Sequence, residues 1–159
     1  MQVANERNIR HLSLEEITDF FESMGEKKFR AKQVYEWLWQ KHAHSFADMT
    51  NLSKELRQKL GETFTLTALA VDATQYSADG TVKSRFRTHE GHLVEGVLIP
   101  TDERKTACVS SQIGCSLSCK FCATGYMDRK RNLNADEIYD QVVLIDKQAK
   151  ENFNIPLTN

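Results

Sequence analysis

Three cysteines, Cys115, Cys119 and Cys122, fall in the short run GCSLSCKFCATG, with the spacing Cys-x3-Cys-x2-Cys. Three thiolates in so short a loop can converge on one inorganic centre. A four-iron cluster needs a ligand for each iron, so three thiolates leave one iron open, much as a catalytic zinc keeps one position free where a structural zinc is closed. An open iron can hold and reduce a small molecule. Structural zinc is the alternative: it takes four ligands, Cys108 stands seven residues before Cys115, and His89 and His92 are further donors. Short Cys-x2-Cys pairs are also zinc signatures, so spacing leaves both chemistries open. Phe121 directly before the last cysteine and the glycines flanking the loop favour the iron cluster.

The rest of the chain must position that loop. It has 159 residues, 40% of them hydrophobic, with 7 Gly and 2 Pro, which is the composition of one ordinary domain or two small ones. No stretch approaches the ~18 uninterrupted apolar residues of a membrane span. The start, MQVANERNIRH, lacks the apolar core of a secretory signal, so a cytoplasmic location without membrane contact is expected. In that reducing compartment four cysteines point to metal or redox chemistry rather than to a disulfide framework. With 21 Lys+Arg against 22 Asp+Glu the formal net charge is -1, so any basic footprint for nucleic acid must be local.

Hydrophobic period supplies the elements. Leu14, Ile17, Phe20, Phe21 and Met24 recur at helical steps behind a Ser13/Glu16 capping box, with Gly25 as the stop. A second helix is predicted from about Phe29 to Lys41, with Ala31, Val34, Tyr35 and Leu38 inward. A third is predicted from the N-cap Ser53, with Leu52, Leu56, Leu60 and Phe64 spaced by four. The period then changes: Leu66 to Tyr76, Thr81 to Thr88 and His92 to Ile99 read as strands, broken at Ala78-Asp79-Gly80 and Glu90-Gly91 by hairpin turns. An extended run from Arg104 to Gln112 leads into the cysteine loop. Helical period returns from Asn134 to Lys150, with Ile138, Val142 and Ile145 inward, and residues 154–157 read as the approach to another strand.

The expected fold class is therefore α+β: a three-helix domain over 1–65, a small antiparallel β connector over 66–102, and over 103–159 the opening βα segment of an incomplete α/β barrel. Only 37 residues follow Cys122, whereas an eight-unit barrel takes ~250 in all. The chain is expected to be an amino-terminal portion of a longer protein, and the sheet edge so exposed is expected to favour self-association.

Cys-x3-Cys-x-Phe-Cys after a strand resembles the cluster loop of the radical S-adenosylmethionine enzymes. The flanking residues Cys108 to Cys115 and Val94 to Pro100 resemble the RlmN and Cfr group of RNA methyltransferases within them. Gly25 to Val34 and Ser77 to Lys83 are similar to the RlmN branch. The resemblance implies that Cys115, Cys119 and Cys122 bind a [4Fe-4S] cluster whose open iron takes S-adenosyl-L-methionine, cleaved to a 5'-deoxyadenosyl radical by an electron from a donor such as flavodoxin. It implies that Cys108 forms a transient disulfide with a methyl-carrying cysteine late in the chain, and that Glu95 accepts a proton or contacts substrate. From the residues alone, Cys108 reads as a small buried strand residue and Glu95 as a solvated side chain on the outer face of a sheet. The implied reaction methylates carbon 2 of adenine in 23S rRNA and in tRNA; the Cfr branch methylates carbon 8. The family's Gly-x-Gly-Glu-Pro segment and the methyl-accepting cysteine would lie beyond Asn159, so this stretch alone is expected to be inactive.

Two basic clusters are candidate RNA contacts: Lys27, Lys28, Arg30 and Lys32, and Arg129, Lys130 and Arg131, with Phe29, Trp37, Trp39 and Tyr126 near them. Cations neutralise phosphates while aromatic faces stack on unpaired bases. The two tryptophans read as core residues. The reading of a different class is a zinc-stabilised RNA-binding module without catalysis.

Overall fold

The computed structural model describes residues 7–159; the first six residues of the MQVANERNIRH start lie outside the described residues. The chain divides between Thr67 and Ala68 into two compact units.

The first unit is three helices, α1 (Leu14–Ser23), α2 (Lys28–Trp39) and α3 (Lys54–Thr63). The predicted capping box is formed: the Glu16 amide donates to Ser13 Oγ at 3.1 Å and the Ser13 amide to the Glu16 carboxylate at 2.8 Å. That backbone N–H holds the Glu16 carboxyl below its ordinary pKa. Gly25 ends the α1 region at φ +77°, a conformation costly for residues with a Cβ. Ile17, Phe21, Ala31, Val34, Leu38, Leu52, Leu56, Leu60 and Phe64 form the core, each the inward member of its period. Trp37 and Trp39 pack partly buried against it. The strand expected from Leu66 begins later, because the first unit captures its start. Ile9 N donates to Thr65 O, Thr65 N donates to Arg7 O, and Leu66 packs on the helical core.

The second unit is a four-stranded antiparallel sheet of β1 (Ala70–Tyr76), β2 (Val82–Arg87), β3 (Leu93–Pro100) and β4 (Lys105–Cys108), in that spatial order. Both predicted hairpin breaks carry a glycine at positive φ, Gly80 at +84° and Gly91 at +86°. The β3–β4 ladder joins Val97 to Cys108 and Pro100 to Lys105, so the sheet continues across residue 102. The extended run from Arg104 is interrupted: after β4 the chain leaves the ladder and re-enters a two-residue strand, β5 (Gln112–Ile113), paired with β6 (Arg131–Asn132) beyond the cysteine loop. The long helix α4 (Ala135–Phe153) then crosses the sheet.

One face of the sheet is buried beneath α4. Val82, Phe86, Val94 and Leu98 form a core with Ile145 and Ala149, each large side chain contributing about 1.5–3 kcal/mol. Gly96 permits the approach, since a Cβ there would stand 2.9 Å from Ile145 Cδ1 and 2.8 Å from Phe86 Cε2. The inward stripe of α4 differs from the one the apolar pattern predicted. Val142 is exposed, and buried Gln141 holds the inward position between Ile138 and Ile145. After α4, residues 158 and 159 run beside the other edge of β4 in the same sense, with Thr158 N donating to Lys105 O and Ala107 N to Asn159 O, both at 2.9 Å. This is the start of a βαβ crossover; no strand forms within 154–157. No described helix is long and apolar enough to cross a membrane.

Candidate functional site

The cysteine loop is closed at its base and open at its tip. At the base, Gln112 pairs with Asn132 and Ile113 with Arg131. Lys130 N donates to Ile113 O and Leu133 N to Ser111 O, while Ile113 and Leu133 are buried in the sheet–helix core. Gly114 turns the chain into the loop at φ +71°, where a Cβ would lie only 2.1 Å from Asp128 O. The Cys115 amide donates to Met127 O, so the two limbs touch one residue further on. Within the loop, Cys122 N donates to Cys119 O and Gly125 N to Cys122 O, and a Cβ on Gly125 would meet Cys119 O at 2.7 Å. Only a glycine lets the last turn close on the middle cysteine.

At the tip little is buried. Leu117 is 76% exposed, Phe121 93% and Tyr126 75%. The Tyr126 hydroxyl donates to Lys120 O and the Leu117 amide approaches Cys115 Sγ. All four cysteines are free thiols, the three in the loop half-buried. In kind and number they fit three ligands of a four-iron cluster. Among the described residues no group of three or more His, Cys, Asp or Glu side chains stands ready to hold a metal ion, neither the three loop cysteines nor a four-donor zinc set with Cys108, His89 or His92.

Glu95 and Cys108 share the sheet face that α4 does not cover. Cys108 stands across the ladder from Val97, and Glu95 lies two residues along the same strand, so both point outward. Cys108 is exposed, contrary to the buried strand residue that sequence alone suggests, because β4 turns its last residue to the open face. The Glu95 carboxylate meets Lys83 Nζ at 2.9 Å and shares a shallow depression with Ala73, Gln75, Lys83 and Arg85. Beside it, the side chain of Asp72, at the bulge in β1, is 7% exposed and takes both Arg85 and Arg87 as ion partners.

The basic candidates separate. Arg131 is held by two carboxylates, with Nη1 2.7 Å from Glu137 and Nη2 2.9 Å from Glu90, which raises its pKa further. It fastens the loop base to α4. Arg129 and Lys130 are exposed, Arg129 donating to Asn132 Oδ1. In the first unit Lys27, Lys28 and Lys32 are exposed, Lys28 pairing with Glu22 at 3.2 Å. Arg30 lies half-buried over the Phe29 ring and donates to Gln33 and to Asn51 O. The structure also shows two residues that the pattern of chemistry did not single out, Gln141 and Glu137, both on α4 and both tied to the loop base.

Comparison with known proteins joins these observations. Residues 7–66 match the family model described as the ribosomal RNA large subunit methyltransferase N-terminal domain. A probable dual-specificity RNA methyltransferase RlmN of Cytophaga hutchinsonii is 62% identical over 151 residues, covering 95% of this chain and 41% of that protein. The dual-specificity RNA methyltransferase RlmN of Geotalea uraniireducens is 45% identical over 89% of this chain and 41% of its own length. The crystal structure of a radical SAM methyltransferase from Sphaerobacter thermophilus superposes with a TM-score of 0.80 at 38% identity, over 96% of this chain and 45% of that one. The chain thus spans less than half the length of these relatives.

Proposed function

Over the stretch it spans this chain is an RlmN-type sequence, and on that premise we propose that it carries the cluster-binding loop and part of the substrate face of a radical S-adenosylmethionine RNA methyltransferase acting on carbon 2 of adenine in 23S rRNA and tRNA. The observation that carries the reading is a juxtaposition. Cys108 and Glu95 stand on one face of the sheet, and a short link after Cys108 leads into β5, whose pairing with β6 closes the base of the loop with three free thiols.

Cys115, Cys119 and Cys122 would hold a [4Fe-4S] cluster. When bound, such a cluster supplies one-electron reduction of the sulfonium of S-adenosyl-L-methionine at its open iron. The chain's own residues then bind and orient. Gly114 and Gly125 fold the loop so that the middle and last cysteines lie in successive tight turns. Exposed Phe121 and Leu117 offer apolar surface that keeps water from a bound cofactor. Lys83 holds the Glu95 carboxylate at the open face, where it can take a proton from a base lying there. Exposed Cys108 has room to attack, as thiolate, the sulfur of a protein–RNA thioether, the S–S bond forming as the carbon–sulfur bond breaks and the electron pair leaves with the RNA carbon, which takes up a proton. Lys27, Lys28, Lys32, Arg129 and Lys130 are the exposed cations that would meet RNA phosphates.

Anaerobic reconstitution of this chain with iron and sulfide tests the site. About four irons and four sulfides per chain are expected, and Cys115→Ala, Cys119→Ala or Cys122→Ala should each abolish loading while Cys108→Ala leaves it intact. A colourless protein holding one zinc through all four cysteines overturns the reading in favour of a zinc-stabilised RNA-binding module. Turnover is expected only from the longer protein. Mass spectrometry of RNA it has modified separates carbon 2 from the carbon 8 product of the Cfr branch.

A further inference from the structure

Gln141 is fully buried in the stripe of α4 that faces the sheet, a place where an apolar side chain would fit the period. Its carboxamide is spent chiefly on one residue. Oε1 accepts the Ser110 amide at 2.8 Å and Nε2 donates to Ser110 O at 3.0 Å, with a further bond to Glu137 O at 3.2 Å. Ser110 sits where the β3–β4 ladder would continue, since the register that sets Val97 against Cys108 would bring Ser110 opposite Glu95. The ladder stops at Cys108, however, and the backbone of Ser110 would be left without partners beneath a helix. Ser110 is partly buried, and an amide and carbonyl withdrawn from water without partners cost stability. The side chain of Gln141 presents the same donor and acceptor as a neighbouring strand would. The Ser110 hydroxyl supplies the cross-strand link, donating to Glu95 O at 2.7 Å.

We infer that Gln141 is a positioning residue. It replaces the missing ladder partner of Ser110 and so fixes, through one residue, the outward presentation of Cys108, the backbone of Glu95 and the entry to the cysteine loop. Arg131, bridging Glu137 one turn earlier on α4, fastens the other limb of that loop. Both limbs are therefore bolted to the same helix end. Its importance for catalysis rests on the function proposed above; the clamp itself does not.

The test is site-resolved amide hydrogen exchange on this chain. In the unaltered protein the Ser110 amide, outside any ladder, is expected to be protected about 100-fold or more, like the ladder amides of β3. Exchange at the rate of an exposed loop amide overturns the inference without any variant. Gln141→Met keeps the volume and removes the carboxamide. It is expected to speed exchange at Ser110 about tenfold or more while the β1–β2 amides keep their rates, and to lower the thermal midpoint. If Gln141 were only filler, Met would leave Ser110 protected and the midpoint unchanged or raised, which overturns the proposal. Iron loading of the unaltered chain separates the two readings: its failure sinks the cluster assignment, whereas unchanged Ser110 exchange in Gln141→Met sinks only the clamp.

Discussion

The two faces of the four-stranded sheet are built from alternate residues of the same strands and obey different rules. On β2, Val82, Ser84 and Phe86 are buried under α4 while Lys83, Arg85 and Arg87 stand exposed between them. The inner face is held by packing, and its polar contacts are few and saturated, as where Ser84 meets Gln148 through both amide atoms. The outer face is a lattice of ion pairs around Glu95 and Asp72, with Cys108 beside it. One face stores the stability and the other is left free to carry chemistry. Substitutions on the two should therefore differ in kind as well as in size.

Phe86→Ala should have the largest effect. The ring is fully buried between sheet and helix, and its loss leaves a cavity costing about 3–5 kcal/mol, read as a lower urea midpoint for the second unit. A loss under about 1 kcal/mol would mean that α4 is not the sheet's cover. Gly96→Ala comes next. Its methyl group would enter the space of Phe86 and Ile145, each under 3 Å away, at about 1–3 kcal/mol. Pairing it with Ile145→Val should restore part of that loss; a strictly additive double variant would refute the close approach.

Asp72→Asn probes the other face. The carboxylate is nearly buried, but the guanidinium groups it holds are half-exposed and keep water when it is neutralised. The expected cost is about 1 kcal/mol, most of it gone in 1 M salt, where the Debye length falls to about 3 Å. The salt response sharpens the comparison, because the Phe86 and Gly96 effects should persist.

Much of this division was legible in sequence. The runs Thr81 to Thr88 and His92 to Ile99 read as the strands that the structure forms over Val82–Arg87 and Leu93–Pro100, and caps and glycines marked the helix ends and hairpins. The three loop cysteines stood out by spacing, and Glu95 and Cys108 by resemblance. What stayed hidden depends on contacts between distant residues. Leu66 has the strand pattern yet is captured by the helical core through the Arg7–Thr65 pairing. Arg131 reads as one cation of a basic run, but Glu90 and Glu137 lie 41 and 6 residues away. Gln141 is the sharpest case. Apolar period nominates Val142, the wrong neighbour by one residue, because a polar side chain inside the stripe counts against the stripe until its partner, 31 residues earlier, is known.

Lys83→Met should change stability least, and for that reason it tests the outer face most cleanly. Both ends of its ion pair are about half-exposed, 45% for Lys83 and 53% for Glu95, so solvent screens the attraction and the expected loss is within about 0.5 kcal/mol. Its methylene stem still covers the sheet in the variant, leaving charge as the main difference. A double-variant cycle with Glu95→Gln should then give a coupling below about 1 kcal/mol that fades with salt. A larger, salt-insensitive coupling would show that the outer face is buried in solution, and that the open depression around Glu95 is closed by another part of the protein or by a second copy.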